Sequence, residues 1–257
     1  VVGSVAAAAA LPGSVTMATM TLDDLVTQLR AAYGTQLNAV VLYGSAAAGE
    51  HIPKRSDYNV LVLLNDLDPA ALASGSASSV ARAWNDAGNP PPMTMTVNEW
   101  RHSSDVFPME YSDILERHRV LHGTPPFEGI TVSRQDLRLQ LEHQVMGKLL
   151  QLRQGAMLAG ADGKRQIELL ARSLSTMMVL FRAVLRLGGE RPGSDNIELA
   201  QRVGTLAGFD ASPFERVVRH VRGETKLDGA AAGGVLAAYI GGIRSLQHYL
   251  DAYGATT

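Results

Sequence analysis

A chain of 257 residues can bury a sizeable core, as one large domain or two modest ones. With 46% hydrophobic and 19% charged residues it has the composition of a folded chain, and its formal charge of -2 supplies no global field to hold nucleic acid or an anionic membrane. The absence of cysteine excludes disulfides, thiolate zinc sites and a cysteine nucleophile, and it fits a cytoplasmic protein.

Residues 1–19 are rich in Ala, Val, Gly and Ser. Their apolar run, Val5 to Leu11, lacks the basic start of a secretory signal and is too short to span a bilayer. We read them as a flexible tail or upstream extension, with Met17 or Met20 as plausible internal starts. Thr21 then reads as an N-cap, with Asp23 and Asp24 in the first turn and Leu22, Leu25, Val26 and Leu29 at helical spacing up to a stop at Gly34. Ala39 to Tyr43 is a short apolar run ending in Gly44-Ser45, the pattern of a buried strand and a tight turn. A second strand is expected over Tyr58 to Leu64, after a polar loop carrying Lys54 and Arg55. A helix from Asp68-Pro69 to about Asp86 is broken by Pro90-Pro91-Pro92, and Met93 to Val97 reads as a third strand. Glu99 to Gly129 is less regular and is expected to lead outward from this first unit. From Ser133 the pattern is helical throughout, over about 133–159, 163–187, 194–206, 212–223 and 230–253. The expected fold is α+β: a mixed-sheet domain over residues 20–130, then an all-α bundle over 131–257.

The chemistry centres on Leu42 to Leu63, LYGSAAAGEHIPKRSDYNVLVL. A strand delivers Gly44-Ser45 into a turn, and eleven residues separate Ser45 from Asp57, which opens the next strand. On these residues the chain resembles the DNA polymerase beta-like nucleotidyltransferase superfamily, and within it the aminoglycoside-modifying branch of kanamycin nucleotidyltransferase. The family pattern is Gly-Ser, about a dozen residues, then Asp-x-Asp opening a strand. The resemblance covers about residues 38–64. It implies an ATP or other nucleoside triphosphate site at Gly44 and Ser45, and a Mg²⁺ site at Asp57 and the residue two beyond it. The implied acceptor is a hydroxyl of a small molecule or protein.

The pattern has a physical basis. A glycine lets backbone approach a phosphate closely, and a hydroxyl and amide N–H groups bind its oxygens. Carboxylates at alternate strand positions share one side, where they hold Mg²⁺ against a triphosphate. This chain departs from the pattern where charge matters most, because residue 59 is Asn. An amide oxygen coordinates a metal without neutralising it. No acid occurs within Met93 to Val97, which leaves Glu99 or Glu110 as rival third acids. Weak Mg²⁺ binding and impaired transfer are therefore expected, with a nucleotide-binding or regulatory role; an active transferase is the alternative.

Two further features lie on the helix after Ser133. Lys148 falls in the arc of Leu137, Leu141, Val145 and Leu152, where it either reaches a phosphate or packs its stem while the amine snorkels to water. Leu139, Met146, Leu150 and Met157 form a second apolar face, from which we expect the helix to be covered on two sides. Arg138 and His143 match the Arg-to-His spacing of helical ribonuclease toxins of the HEPN type, which makes a toxin–antitoxin partner a distant alternative. The histidines show no metal-ligand spacing, and no membrane partner is expected.

Overall fold

The computed structural model describes residues 20–47, 49, 58–73 and 75–253. Asp57, Lys54, Arg55 and residues 1–19 therefore lie outside the described residues, as does the side chain of Ser45.

Helix α1 (Leu22–Tyr33) starts at a reciprocal cap, in which Thr21 Oγ1 accepts from the Asp24 amide and the Asp24 carboxylate accepts from the Thr21 amide. It leads into β1 (Leu37–Tyr43), which pairs antiparallel with β2 (Asn59–Leu64). Helices α2 (Pro69–Ala73) and α3 (Ser76–Asp86) follow where one helix was expected. They are divided near Gly75, whose φ of 80° a helix cannot contain. Strand β3 (Met93–Thr96) runs parallel to β2, and Val97, expected in that strand, instead opens helix α4 (Val97–His102). Helix α5 (Pro108–Glu116) and strand β4 (His118–Gly123) complete the unit. β4 pairs antiparallel with β1 and gives the sheet order β3-β2-β1-β4. This fourth strand is a correction to the irregular reading of residues 99–129. It is an edge strand with His118, Arg119 and Val120 exposed, so it carries little of the apolar alternation that marks a half-buried strand.

Alternation along β1 and β2 separates two cores. Val40, Leu42, Val60, Val62 and Leu64 face α1 and α3, against Leu25, Leu29 and Trp84. Ala39, Val41, Leu61 and Leu63 face α4 and α5, where Trp100 and Tyr111 stack with ring centroids 4.0 Å apart. Asn59 has the parity of Leu61 and so belongs to the α5 side.

The helical unit comprises α6 (Arg134–Ala159), α7 (Gly163–Leu187), α8 (Asn196–Ala207), α9 (Ser212–Arg222) and α10 (Gly229–Tyr253). They share one core, in which Phe181, Phe214 and Tyr239 are fully buried and the Phe214 and Tyr239 rings lie 4.1 Å apart. Helix α6 buries Leu137, Leu141, Val145, Leu149 and Leu152. Its second apolar face is not covered, contrary to expectation: Leu139 is 48% exposed, Met146 36%, Leu150 49% and Met157 75%. Helices α7 and α10 pack on one side of α6, and the opposite side faces solvent. Among the described residues no helix is long and apolar enough to cross a membrane.

Candidate active site

The turn after β1 is held from three directions. Tyr43 pairs with Asn59 of β2 on one side and His118 of β4 on the other. Gly44 follows with φ 76°, a conformation that disfavours any residue with a β-carbon, and turns the chain into a short 3₁₀ segment, Gly44–Ala46. Its N–H donates to the carbonyl of Arg117 at 3.2 Å, which ties the turn to the α5–β4 junction. A β-carbon on Gly44 would lie 3.4 Å from both Asn59 Nδ2 and Asp113 Oδ2. Gly44, Asn59 and Asp113 are thus gathered at one end of the sheet. The start of β2 is anchored separately, since the buried Asn89 accepts from the Tyr58 amide at 3.1 Å.

Helix α5 brings the acids. Glu110, Asp113 and Glu116 recur at three-residue spacing; the first meets α6, and the other two share a residue of α7. Glu110 accepts from Gln140 of α6 at 3.0 Å, while Gln140 accepts from the Met109 amide at 2.7 Å. Asp113 Oδ1 accepts from Arg117 and from Arg186 of α7, both at 2.7 Å, and Glu116 accepts from Arg186 Nε at 2.5 Å. Burial pushes the Asp113 carboxyl up, but the two guanidiniums outweigh it and hold the group below its usual range. Tyr43 is pushed up to about 12 by burial, reinforced by the negative charge of Glu110 and Asp113. Asp113 was missed in the sequence because it lies in a segment read as irregular. Glu110, Asp113 and Arg117 at helical spacing were the available signal.

The other expected residues are placed as follows. Glu99 closes a capping box on α4, accepting from the Thr96 amide at 2.7 Å. Thr96 pairs with Leu64, so Glu99 lies beyond the far end of β2, five residues along from Asn59, or roughly 16 Å at the rise of a strand. It is not the third acid of a site at Gly44. Lys148 is half-buried on α6, and its ammonium donates to Gln151 at 2.9 Å. The residue of α6 that hydrogen-bonds to α5 is Gln140, two turns earlier, and no hydrogen bond joins Lys148 to Gly44 or Asn59 among the described residues. Arg138 is bound to Glu142 at 2.8 Å and His143 is exposed, on a different side of the helix. A shallow cleft at Thr27, Arg30, Gly34 and His122 lies on α1 and β4, away from Gly44.

Among the described residues no three His, Asp or Glu side chains converge to hold a metal. Asn59 contributes no charge, and Asp113 is already neutralised by two guanidiniums. The described residues therefore do not form a Mg²⁺ cage of their own.

No family profile matches the chain, and no curated protein matches it in sequence. Its fold does match solved structures. Spectinomycin adenyltransferase AAD(9) from Enterococcus faecialis, solved with ATP and spectinomycin, superposes with a TM-score of 0.55 at 11% identity, over 90% of this chain and 100% of that one. The mixed four-stranded sheet followed by a helical bundle is therefore a fold that this chain shares with that adenyltransferase.

Proposed function

We propose that this chain is a nucleotidyltransferase-like protein in which residues 20–130 hold a nucleotide and residues 131–257 form a helical domain facing it. The observation that carries this reading is the meeting of Gly44 and Asn59 at the end of β1 and β2, in a fold shared with an enzyme that was solved with ATP. Gly44 and Ser45 contact the phosphates, and Asp57 with Asn59 offers the metal one charged and one neutral ligand. Such a site binds Mg²⁺ and nucleotide weakly and transfers poorly, because neutralising the triphosphate is central to the chemistry. The role is then nucleotide binding or regulation, with an acceptor or ligand between the two halves.

One observation favours the second reading, an active transferase moving a nucleoside monophosphate to a hydroxyl. Asp113 Oδ1 takes both guanidiniums, but Oδ2 is the atom beside Gly44, so a carboxylate oxygen absent from the strands stands at the turn. Calorimetry with ATP and Mg²⁺, run beside a pyrophosphate-release assay over a panel of nucleotides, separates the two. The impaired site gives weak binding that loses its magnesium dependence in Asp57→Ala, and little turnover. Robust turnover by the wild type removes the impaired reading, and tight binding indifferent to Asp57 places the nucleotide elsewhere.

A further inference from the structure

The uncovered face of α6 is ordered in a particular way. Leu139, Met146, Leu150 and Met157 fall within about 40° of one another around the helix, opposite the buried stripe, and span roughly 27 Å of its length. Their spacing of seven, four and seven residues is that of heptad a and d positions, with His143 and Arg153 completing the seam. The seam is also symmetric about position 148. Leu139 and Met157 lie nine residues either side, Met146 and Leu150 two, and His143 and Arg153 five.

The apolar positions, though not the residue types, repeat from both ends, and together with the charges this fits one occupant, a second copy run antiparallel. A twofold interface needs each position to meet its symmetry mate, and here every a position meets a d position of the copy. Leu139 then lies against Met157 of the second copy, and Met146 against Leu150. The charges follow the same rule. Arg153 is exposed on the flank that also carries Glu142. In the antiparallel pair Arg153 falls beside Glu142 of the second copy, within about one residue rise along the axis. Glu142 binds Arg138 through Oε2 alone, so its other oxygen is open to that pairing. His143 shares its layer with Arg153 of the copy, and its neighbour on the opposite flank is Gln154. Gly147, one residue from the centre, has no side chain, and the space beside it is open.

We propose that this chain self-associates as a twofold dimer through an antiparallel pairing of the exposed α6 stripe. The interface buries four apolar side chains from each copy and sits at the small end of specific protein interfaces, so the dimer is concentration-dependent. The inference does not depend on the functional reading above, because none of these residues belongs to the candidate site.

The test uses the full chain, which has no cysteine to confuse it. Sedimentation across a concentration series reads the mass. Two single variants, Leu139→Cys and Met157→Cys, are oxidised separately and as a mixture. In the antiparallel pair like positions are roughly 27 Å apart, far beyond disulfide reach, whereas positions 139 and 157 are opposed. Dimerisation of the wild type and a crosslinked species confined to the mixture are expected. Leu150→Glu is expected to raise the dissociation constant at least about tenfold, since each dimer would bury two unpaired carboxylates. Circular dichroism confirms that this exposed substitution leaves the fold intact. A wild type that stays monomeric throughout overturns the proposal. So do crosslinks formed by either variant alone, or a dimer that survives Leu150→Glu unweakened.

Discussion

Replacing Arg186 with Met removes the cation that α7 lends to α5 while keeping most of the buried stem. Arg186 is 10% exposed, and its partners Asp113 and Glu116 are 23% and 27% exposed. The pairs thus lie between surface ion pairs, contributing about 0–1 kcal/mol, and fully buried ones, whose rupture costs about 3–5 kcal/mol. Two charge-assisted bonds are lost, but Asp113 keeps Arg117, so a loss of about 2 kcal/mol near pH 7 is expected. Its pH dependence is specific. The Asp113 carboxyl is held below its ordinary value in the folded chain, so its stabilisation is complete above the unfolded value of about 3.9 and is lost as the pH falls through the lower folded value. In Arg186→Met the folded value moves back up. The gap between variant and wild type is then widest near pH 7 and narrows below about pH 4. Urea unfolding at a series of pH values measures this. An equal loss at every pH would refute the electrostatic account and leave packing of the stem as the cause.

Three further outcomes are expected. Gly123→Ala places a β-carbon 1.9 Å from the Asn38 carbonyl oxygen at φ 74°, so it should cost at least about 3 kcal/mol or abolish soluble expression, read by thermal melting. Lys148→Met should leave nucleotide affinity within about twofold of wild type by calorimetry, because its amine is engaged by Gln151 and its stem packs; a larger drop would place the ammonium on the phosphates. Asn59→Asp should strengthen Mg²⁺ binding by restoring a second anionic ligand, with little gain in pyrophosphate release; no gain in metal affinity would mean the metal site lies elsewhere.

The elements that were legible carry strong local signals. Thr21 and Asp24 announced the capping box, and Gly34, Gly160, Gly208 and Gly223 end helices in backbone conformations that glycine favours. The bundle was legible because its helices are long and periodic. Strand β4 was not, since an edge strand of His, Arg and Gly is recognised by its pairing with β1 rather than by its own pattern. The candidate site divides in the same way. Gly44 and Asn59 stand at a recognisable spacing, but Asp113 reaches them from a helix some fifty residues on. The helical spacing of Glu110, Asp113 and Arg117 marks a helix, but not that it packs against Gly44. The uncovered stripe of α6 was misread because periodicity reveals an apolar face and not what lies against it.

The two outer strands of the sheet have a consequence for how this chain behaves when crowded. β3 is four residues long and is entered through Pro90, Pro91 and Pro92, which have no N–H to offer a neighbouring strand. β4 begins with His118 and Arg119, shifts register against β1 at Val40/Val41, and ends in a glycine with left-handed φ. Neither border presents a long flat row of unpaired backbone groups, the template from which cross-strand stacking grows. Copies of the chain that meet through these borders find proline, charge and a kink rather than a ladder to extend. Prolonged incubation at high concentration should therefore yield no fibre that binds amyloid dyes, and any association should stay reversible on dilution.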